Sequence, residues 1–359
     1  LAHAVASYDV VVFASGEPLL NRRELPFLRM LGKKVVVVYL GSDSRPPYMN
    51  GKGVRRARSV APTSLGAWLV DEACRIRRNV AWADRWATTI IDSPLCGHFH
   101  ERPFVSFFRV GFPFAPPNAQ PPHDAPSAST LRILHAPSDP ATKGSAVIAA
   151  AVARAQSRGL RLEYMEIKGR PNHEVLAAIA RCDFIIDEMY SDVPGGALAI
   201  EGAALGKPSI VAGYAAEEIA RWVPASLTLP THYCHPDALD DAIRKLANDR
   251  AYRLSLGARA YAFVRDVYAP TAVAGRFLRA IEGDDVGGWL VDPLDVSYLH
   301  GTGLPESAAR EAVRAVLDEA GDEGLQVPGK EELTASLKAF AGSVTVGQAD
   351  EPRLEREQH

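Results

Sequence analysis

Apolar positions along the chain fall in strand-length runs separated by segments of helical period. Asp9 to Ala14 and Lys34 to Leu40, the latter holding Val35 to Val38, are continuous apolar runs. Runs apolar on both faces predict parallel strands covered by helices on each side. Leu25, Leu28, Met30 and Leu31 predict a helix from Asn21 to Leu31 that stops at Gly32. A long helix follows from Pro62 to Ala83, then a strand from Trp86 to Ile91. Between Gly111 and Ser129 the pattern stops, because Pro113, Pro116, Pro117, Pro121, Pro122 and Pro126 fix φ and lack amide protons.

Beyond this stretch the alternation restarts. Strands are predicted at Leu131 to His135, Leu162 to Ile167, Asp183 to Asp187 and Pro208 to Ala212. Helices are predicted at Gly144 to Gln156, Asn172 to Arg181 and Ala197 to Leu205. Strand–helix order of this kind predicts a doubly wound α/β sheet. Helices resume over Asp237 to Ile281, Ser307 to Ala320 and Glu331 to Ala341, and the charged end from Gly347 to His359 is expected to be loose. The expected organisation is a short first domain (1–112), a linker (113–130), a second domain (131–268) and helices packing back on the first (269–359). Only about three strands are visible in the first domain, against five or so in an ordinary sheet. Either further strands precede residue 1, or the helices from Ser307 to Ala341 cover an open edge.

Composition narrows the class. With 359 residues the chain suits two domains of roughly 150 residues each. It is 47% hydrophobic and 23% charged, with a formal net charge of -3, so nothing demands a nucleic-acid partner. Cys74, Cys96, Cys182 and Cys234 form no CxxC pair and read as free thiols of a reducing compartment. No apolar run approaches the roughly 20 residues of a bilayer span. A cytoplasmic location is expected.

Two windows carry chemistry. In the first, Ile133 to Ser138 is followed by Asp139 to Thr142 and then by Lys143-Gly144 at the mouth of a helix. The helix dipole disfavours a lysine there, so a bound anion gives it a reason. In the second, a buried strand ends at Asp187, and Gly195-Gly196 opens a helix that carries Glu201 and ends at Gly206. Glycines admit a ligand close to backbone, and free amides at a helix start suit a diphosphate. Glu201 needs a partner in its apolar helix, and a pair of ribose hydroxyls would be one. The bland alternatives are an ordinary helix entry, a salt-bridged Glu201 and a solvated lysine.

Together these windows resemble the C-terminal domain of the family 4 glycosyltransferases. The likeness covers roughly Leu131 to Gly213 and is weaker in the N-terminal half. It implies a GT-B fold, two Rossmann-like domains facing a cleft, and transfer of a sugar from a nucleotide-diphosphate donor to a hydroxyl. The acceptor would be a glycan, a lipid-linked glycan or a small molecule. By this resemblance Lys143, with Ser138 and Gly144, would hold the diphosphate, Gly195 and Gly196 would line phosphate or sugar, and Glu201 would bind ribose. The sequence departs from the family at Val193, where a glutamate is frequent. Asp192 stands one place away. An arginine commonly preceding Lys-Gly is missing, and Lys168 or Arg170 would have to supply its charge.

Such relatives retain anomeric configuration, and the leaving phosphate can take the acceptor's proton. No cofactor is implied, since the donor is a substrate. Metal independence is expected, because strand alternation points Asp187 and Glu188 to opposite faces. His232, Cys234 and His235 lack four-ligand spacing. Asp43, at the end of a buried strand, is the candidate acceptor contact, its plain alternative being a turn carboxylate. Glu17 and His135 are weaker candidates of the same kind. The basic run Lys52, Arg55, Arg56 and Arg58 is a solvated surface or a contact for anionic lipid or a phosphate-bearing acceptor. Two other functions fit the fold: a nucleotide-sugar-binding subunit without chemistry, and a nucleotide-sugar 2-epimerase.

Overall fold

The computed structural model describes residues 2–14, 23–60, 62–115 and 130–343. Its strands are β1 (Val10–Ala14), β2 (Lys34–Val38), β3 (Thr89–Asp92), β4 (Phe104–Ser106), β5 (Leu131–His135), β6 (Leu162–Glu166), β7 (Phe184–Ile186), β8 (Ser209–Ala212), β9 (His232–Cys234) and β10 (Leu290–Val291). Among the described residues they form two sheets, ordered β1-β2-β3-β4-β10 and β6-β5-β7-β8-β9. The second is wholly parallel, and in the first only β10 runs antiparallel, on the β4 edge. The molecule is thus α/β, with two Rossmann-like units.

In the first unit the strands follow one another in one direction. Right-handed crossovers then place every connecting helix on the same face. That face packs Val35, Val37 and Ile90 against Leu28, Val54, Leu69 and Val80 from helices Glu24–Met30, Gly51–Ser59 and Leu65–Trp86. The opposite face, Val36, Val38, Ile91 and Val105, is covered by Val273 and Ala280 of helix Pro270–Glu282. Val110 of the short helix Phe107–Val110 joins them, and the rest of the cover comes from the chain's return.

Helices Glu306–Gly324 and Glu331–Gly342 were, in one of two alternatives, expected over a sheet edge. They pack instead outside helix Leu65–Trp86, where Ala309, Val313, Val316 and Leu337 join the core beneath it. The β4 edge is closed by β10, two residues long. Among the described residues four strands, not three, come from the first part of the chain. Sequence missed β4, β9 and β10, strands of three, three and two residues. The long helix runs to Trp86, three residues beyond the expected Ala83, and starts at its cap Ser64, whose side chain accepts from Ala67 N. The predicted helix Asn172–Arg181 matches to the residue. The end from Gly347 to His359, Glu17 and most of the proline stretch lie outside the described residues. Among the described residues no helix is long and apolar enough to cross a membrane.

A buried charge cluster ties the long helix to the end of β3. His100 lies 2.8 Å through Nδ1 from Asp84 and 3.0 Å through Nε2 from Asp92, with no solvent exposure. Burial opposes its charge, but the two carboxylates outweigh burial and raise its pKa to about 9. An unfolded histidine titrates near 6.5. The protonated ring therefore contributes its full stability below that value and loses it as pH rises through about 9. Denaturant unfolding of the wild type and His100→Asn should show the wild type losing a few kcal/mol more between about pH 6 and about pH 10. Equal losses in the two proteins would show that the ring is neutral in the fold.

Candidate functional site

In the second sheet β5 and β7 are neighbours although β6 separates them in sequence. The helix after β5, Ser145–Ser157, packs on one face with Ile133 and Ile186, through Ile148 and Val152. The helix after β7, Ala197–Ala204, packs on the other, with Leu198 beside Leu134 and Ile185. The two connections diverge at the carboxyl ends of their strands, the arrangement that opens a crevice in open α/β sheets. Ligands of open α/β sheets bind at such a switch point. Both windows singled out in the sequence, Asp139 to Gly144 and Asp187 to Gly196, border it.

Local chemistry sets the first window. Asp139 caps a short turn of helix, Pro140–Lys143, its Oδ1 accepting from Ala141 N at 3.1 Å and Thr142 N at 3.2 Å. Gly144 then turns left-handed at φ 69°, and a Cβ on it would come 2.6 Å from Met189 Cβ. Glycine is required here on both counts. The turn brings Lys143 to the second window. Its Nζ bonds Glu188 and lies 4.0 Å from Asp187. Burial works against the ammonium, yet Asp187 and Glu188 prevail and raise its pKa. Asp187 accepts from the Gly196 amide at 2.7 Å, and Glu188 accepts from Ser191 Oγ at 2.6 Å. Burial raises the Asp187 pKa, with Lys143 opposing. The two carboxylates were expected on opposite faces. The strand ends at Ile186, so alternation no longer governs them and both converge on Lys143.

The first unit closes over this cluster. Arg45 bonds Asp192 and lies 2.9 Å from Cys96 Sγ, with both charged side chains almost fully buried. Burial opposes the guanidinium's charge, but Asp192 more than compensates. Arg55 bonds Thr142, next to Lys143, and lies 3.3 Å from Asp139. A third seam is the segment around Thr302. Its amide donates to Met49 O at 3.1 Å and its carbonyl accepts from Gly51, while Gly303 donates to Tyr190 O at 3.0 Å. Tyr190 itself is left-handed, φ 58°, and its ring stacks on Tyr214 at 6.0 Å.

The other predicted residues are placed as follows. Glu201 accepts from Asn172 Nδ2 at 2.7 Å, which supplies a partner from the protein itself. Gly195 packs so tightly that a Cβ would meet Leu229 at 2.8 Å. Ser138 is exposed at the crevice turn. His135 is buried, its nitrogens 2.8 Å from Ile186 O and 2.8 Å from Ser145 Oγ, and burial lowers its pKa. Lys168 and Arg170 line a separate pocket of about 620 Å³ with Glu166, Glu174 and Arg181. Asp43 accepts from Leu40 N at 3.0 Å, and burial with nearby Asp92 raises its pKa. Of the basic run, Arg55 and Arg58 are paired internally, Arg58 with Glu311 at 2.7 Å, while Lys52 and Arg56 are exposed. His232, in β9, bonds Tyr252, and no metal-holding group of three ligands occurs among the described residues. Sequence reading gave Arg45 and Glu188 no binding role, and placed Arg55 only in the basic run. Arg45 ends the Gly41 to Arg45 loop that carries Asp43, and its place beside that candidate was its one available signal.

No family model matches the chain, and no curated protein does. Solved structures similar to it include Anabaena HepE in complex with UDP and glucose, with 13% identity, TM-score 0.46, and coverage of 79% of this chain and 81% of that one. A second is a mutant of TarM from S. aureus in complex with fondaparinux, alpha-GlcNAc-glycerol and UDP, with 10% identity, TM-score 0.41, and coverage of 71% and 53%. A third is the spinosyn rhamnosyltransferase SpnG with thymidine diphosphate, with 14% identity, TM-score 0.39, and coverage of 77% and 75%.

The Arg45–Asp192 pair gives a direct test of the closed seam. Removing one member of a buried pair strands the other, at a cost of about 3–5 kcal/mol. Asp192→Ala should lower stability by that order, while Arg45→Met combined with Asp192→Leu should recover most of it. Urea unfolding of the three proteins measures this. A wild-type midpoint for Asp192→Ala would mean that the pair is not buried in solution.

Proposed function

We propose that this chain is a glycosyltransferase that moves a sugar from a nucleotide-diphosphate donor to a hydroxyl acceptor. One observation carries the reading: a lysine and a glycine-opened helix start meet at the switch point of a parallel sheet, where anionic ligands bind. Lys143 and the amides near Gly196 would neutralise the leaving diphosphate, and Glu201 would turn from Asn172 to the ribose. Preorganised donors of this kind stabilise a leaving group without a metal. The acceptor would enter from the first unit, near the Gly41 to Arg45 loop and Asp43, as a glycan, a lipid-linked glycan or a small molecule. Lys52 and Arg56 would face an anionic acceptor or membrane surface. Retention of configuration is the expected outcome, the departing phosphate taking the acceptor's proton. In position, Arg55 is the best candidate for the arginine missing before Lys143.

A second reading is a donor-binding subunit without chemistry. It is favoured by Lys143, which is already paired with Glu188. Incubation with UDP-, GDP- and dTDP-sugars separates the two: the enzyme releases nucleotide, slowly by hydrolysis or quickly with an acceptor, and the subunit binds without release. Lys143→Ala and Glu201→Gln should each weaken nucleoside-diphosphate binding roughly ten- to hundredfold, the worth of a charged hydrogen bond. Calorimetric titration checks this, and unchanged affinity in both would remove the site. Release should survive EDTA, and dependence on added manganese or magnesium would contradict the metal-free scheme.

A further inference from the structure

A diphosphate entering the crevice would seek the two groups already named, the Lys143 ammonium and the amide at Gly196. Each already holds a carboxylate. Glu188 sits on Lys143, and Asp187 accepts from the Gly196 amide at 2.7 Å. The two acids are neighbours in sequence, so one displacement of the segment after β7 clears both places. We infer that Glu188, with Asp187, is an internal substitute for the donor phosphates and must be exchanged for them when a nucleotide binds. This rests on the reading of Lys143 as a phosphate ligand.

Charge makes the exchange necessary. Lys143 faces Asp187 and Glu188, and Asp192, paired with Arg45, adds its charge to the same largely buried cluster. The further negative charges of a diphosphate cannot join three carboxylates in a low-dielectric site without strong repulsion. Glu188 is held in place from behind, since Ser191 Oγ donates to its second oxygen at 2.6 Å. The segment is also held from the other unit, through Asp192 on Arg45 and through Tyr190 O, which accepts from Gly303 N and, at 3.2 Å, from Thr302 Oγ1. Tyr190 stays left-handed under these contacts, a backbone state that a bulky residue adopts only when its surroundings impose it. Opening the seam between the units would therefore free the segment that carries both acids. Glu188 sets the donor's affinity by competition.

The consequence is a substitution that tightens binding. Titration calorimetry with UDP, GDP and dTDP would compare the wild type with Glu188→Gln, Ser191→Ala, Lys143→Ala and the Glu188→Gln/Lys143→Ala double variant. Glu188→Gln keeps the shape and removes the charge, and should bind the preferred nucleotide roughly tenfold tighter. Ser191→Ala, which leaves Glu188 unsupported, should tighten binding by about threefold. The gain from Glu188→Gln should vanish in the double variant, because there is no ammonium left to release. Equal or weaker binding by both Glu188→Gln and Ser191→Ala, with Lys143→Ala still weakening it, overturns the exchange and leaves the proposed function standing. A gain that persists in the double variant also overturns it. Binding indifferent to Lys143→Ala overturns the phosphate role of Lys143 itself.

Discussion

A parallel strand that is apolar on both faces must be covered on both, and most of this architecture follows from that requirement. In the second sheet the chain meets it by reversing direction between β5 and β7, which puts successive helices on opposite faces. The reversal also creates the switch point, so the candidate site is a by-product of covering the core. In the first sheet the chain runs one way and covers one face only. Val36, Val38, Ile91 and Val105 would stay mostly wet until helix Pro270–Glu282 returns to them. Four such side chains left exposed would forgo about 1.5–3 kcal/mol each. That return carries the segment around Thr302 past both units, where it bonds Met49, Gly51 and Tyr190. Packing demand in one unit thus supplies the seam that holds the loop of the other.

The readable parts of this design were those encoded locally. Val35 to Val38 announce a strand buried on both sides without knowledge of what covers it. Lys143-Gly144 and Gly195-Gly196 are unusual residues at helix starts, and the fold has its own uses for the glycines. Gly144 is left-handed, and Gly196 stands where a Cβ would crowd Asp187 Oδ2 at 3.0 Å. Partners drawn from far along the chain were not readable. Arg45 meets Asp192 across 147 positions, and Arg55 meets Thr142 across 87. No periodicity marks such a pair, because each arginine alone looks like an exposed cation. The error over Asp187 and Glu188 was of a different sort. Alternation holds inside a strand, and this strand stops at Ile186, one residue before the expected end at Asp187. Past its end the backbone is free to bring neighbouring side chains together.

Sequence and structure differ most in how they present the charge of the site. From sequence, Lys143 is an unbalanced cation waiting for an anion. In the fold it is outnumbered: Glu188 and Asp187 flank it, and Asp192 contributes from beyond. Burying a lone ammonium costs several kcal/mol, so a folded resting state must give it a counter-ion. A protein that binds a diphosphate only part of the time therefore has two choices. It can leave the cation in water, where it attracts weakly, or bury it beside carboxylates that must later leave. On the proposed reading, the second choice would preserve a strong, low-dielectric field for a diphosphate at the expense of resting affinity. Arg55 shows that the same logic reaches across the units. It arrives beside Lys143 already bonded to Thr142 and Asp139, as a cation that is held rather than free. The cluster is thus built from paired charges, and on the proposed reading an incoming diphosphate would have to displace one of those pairs.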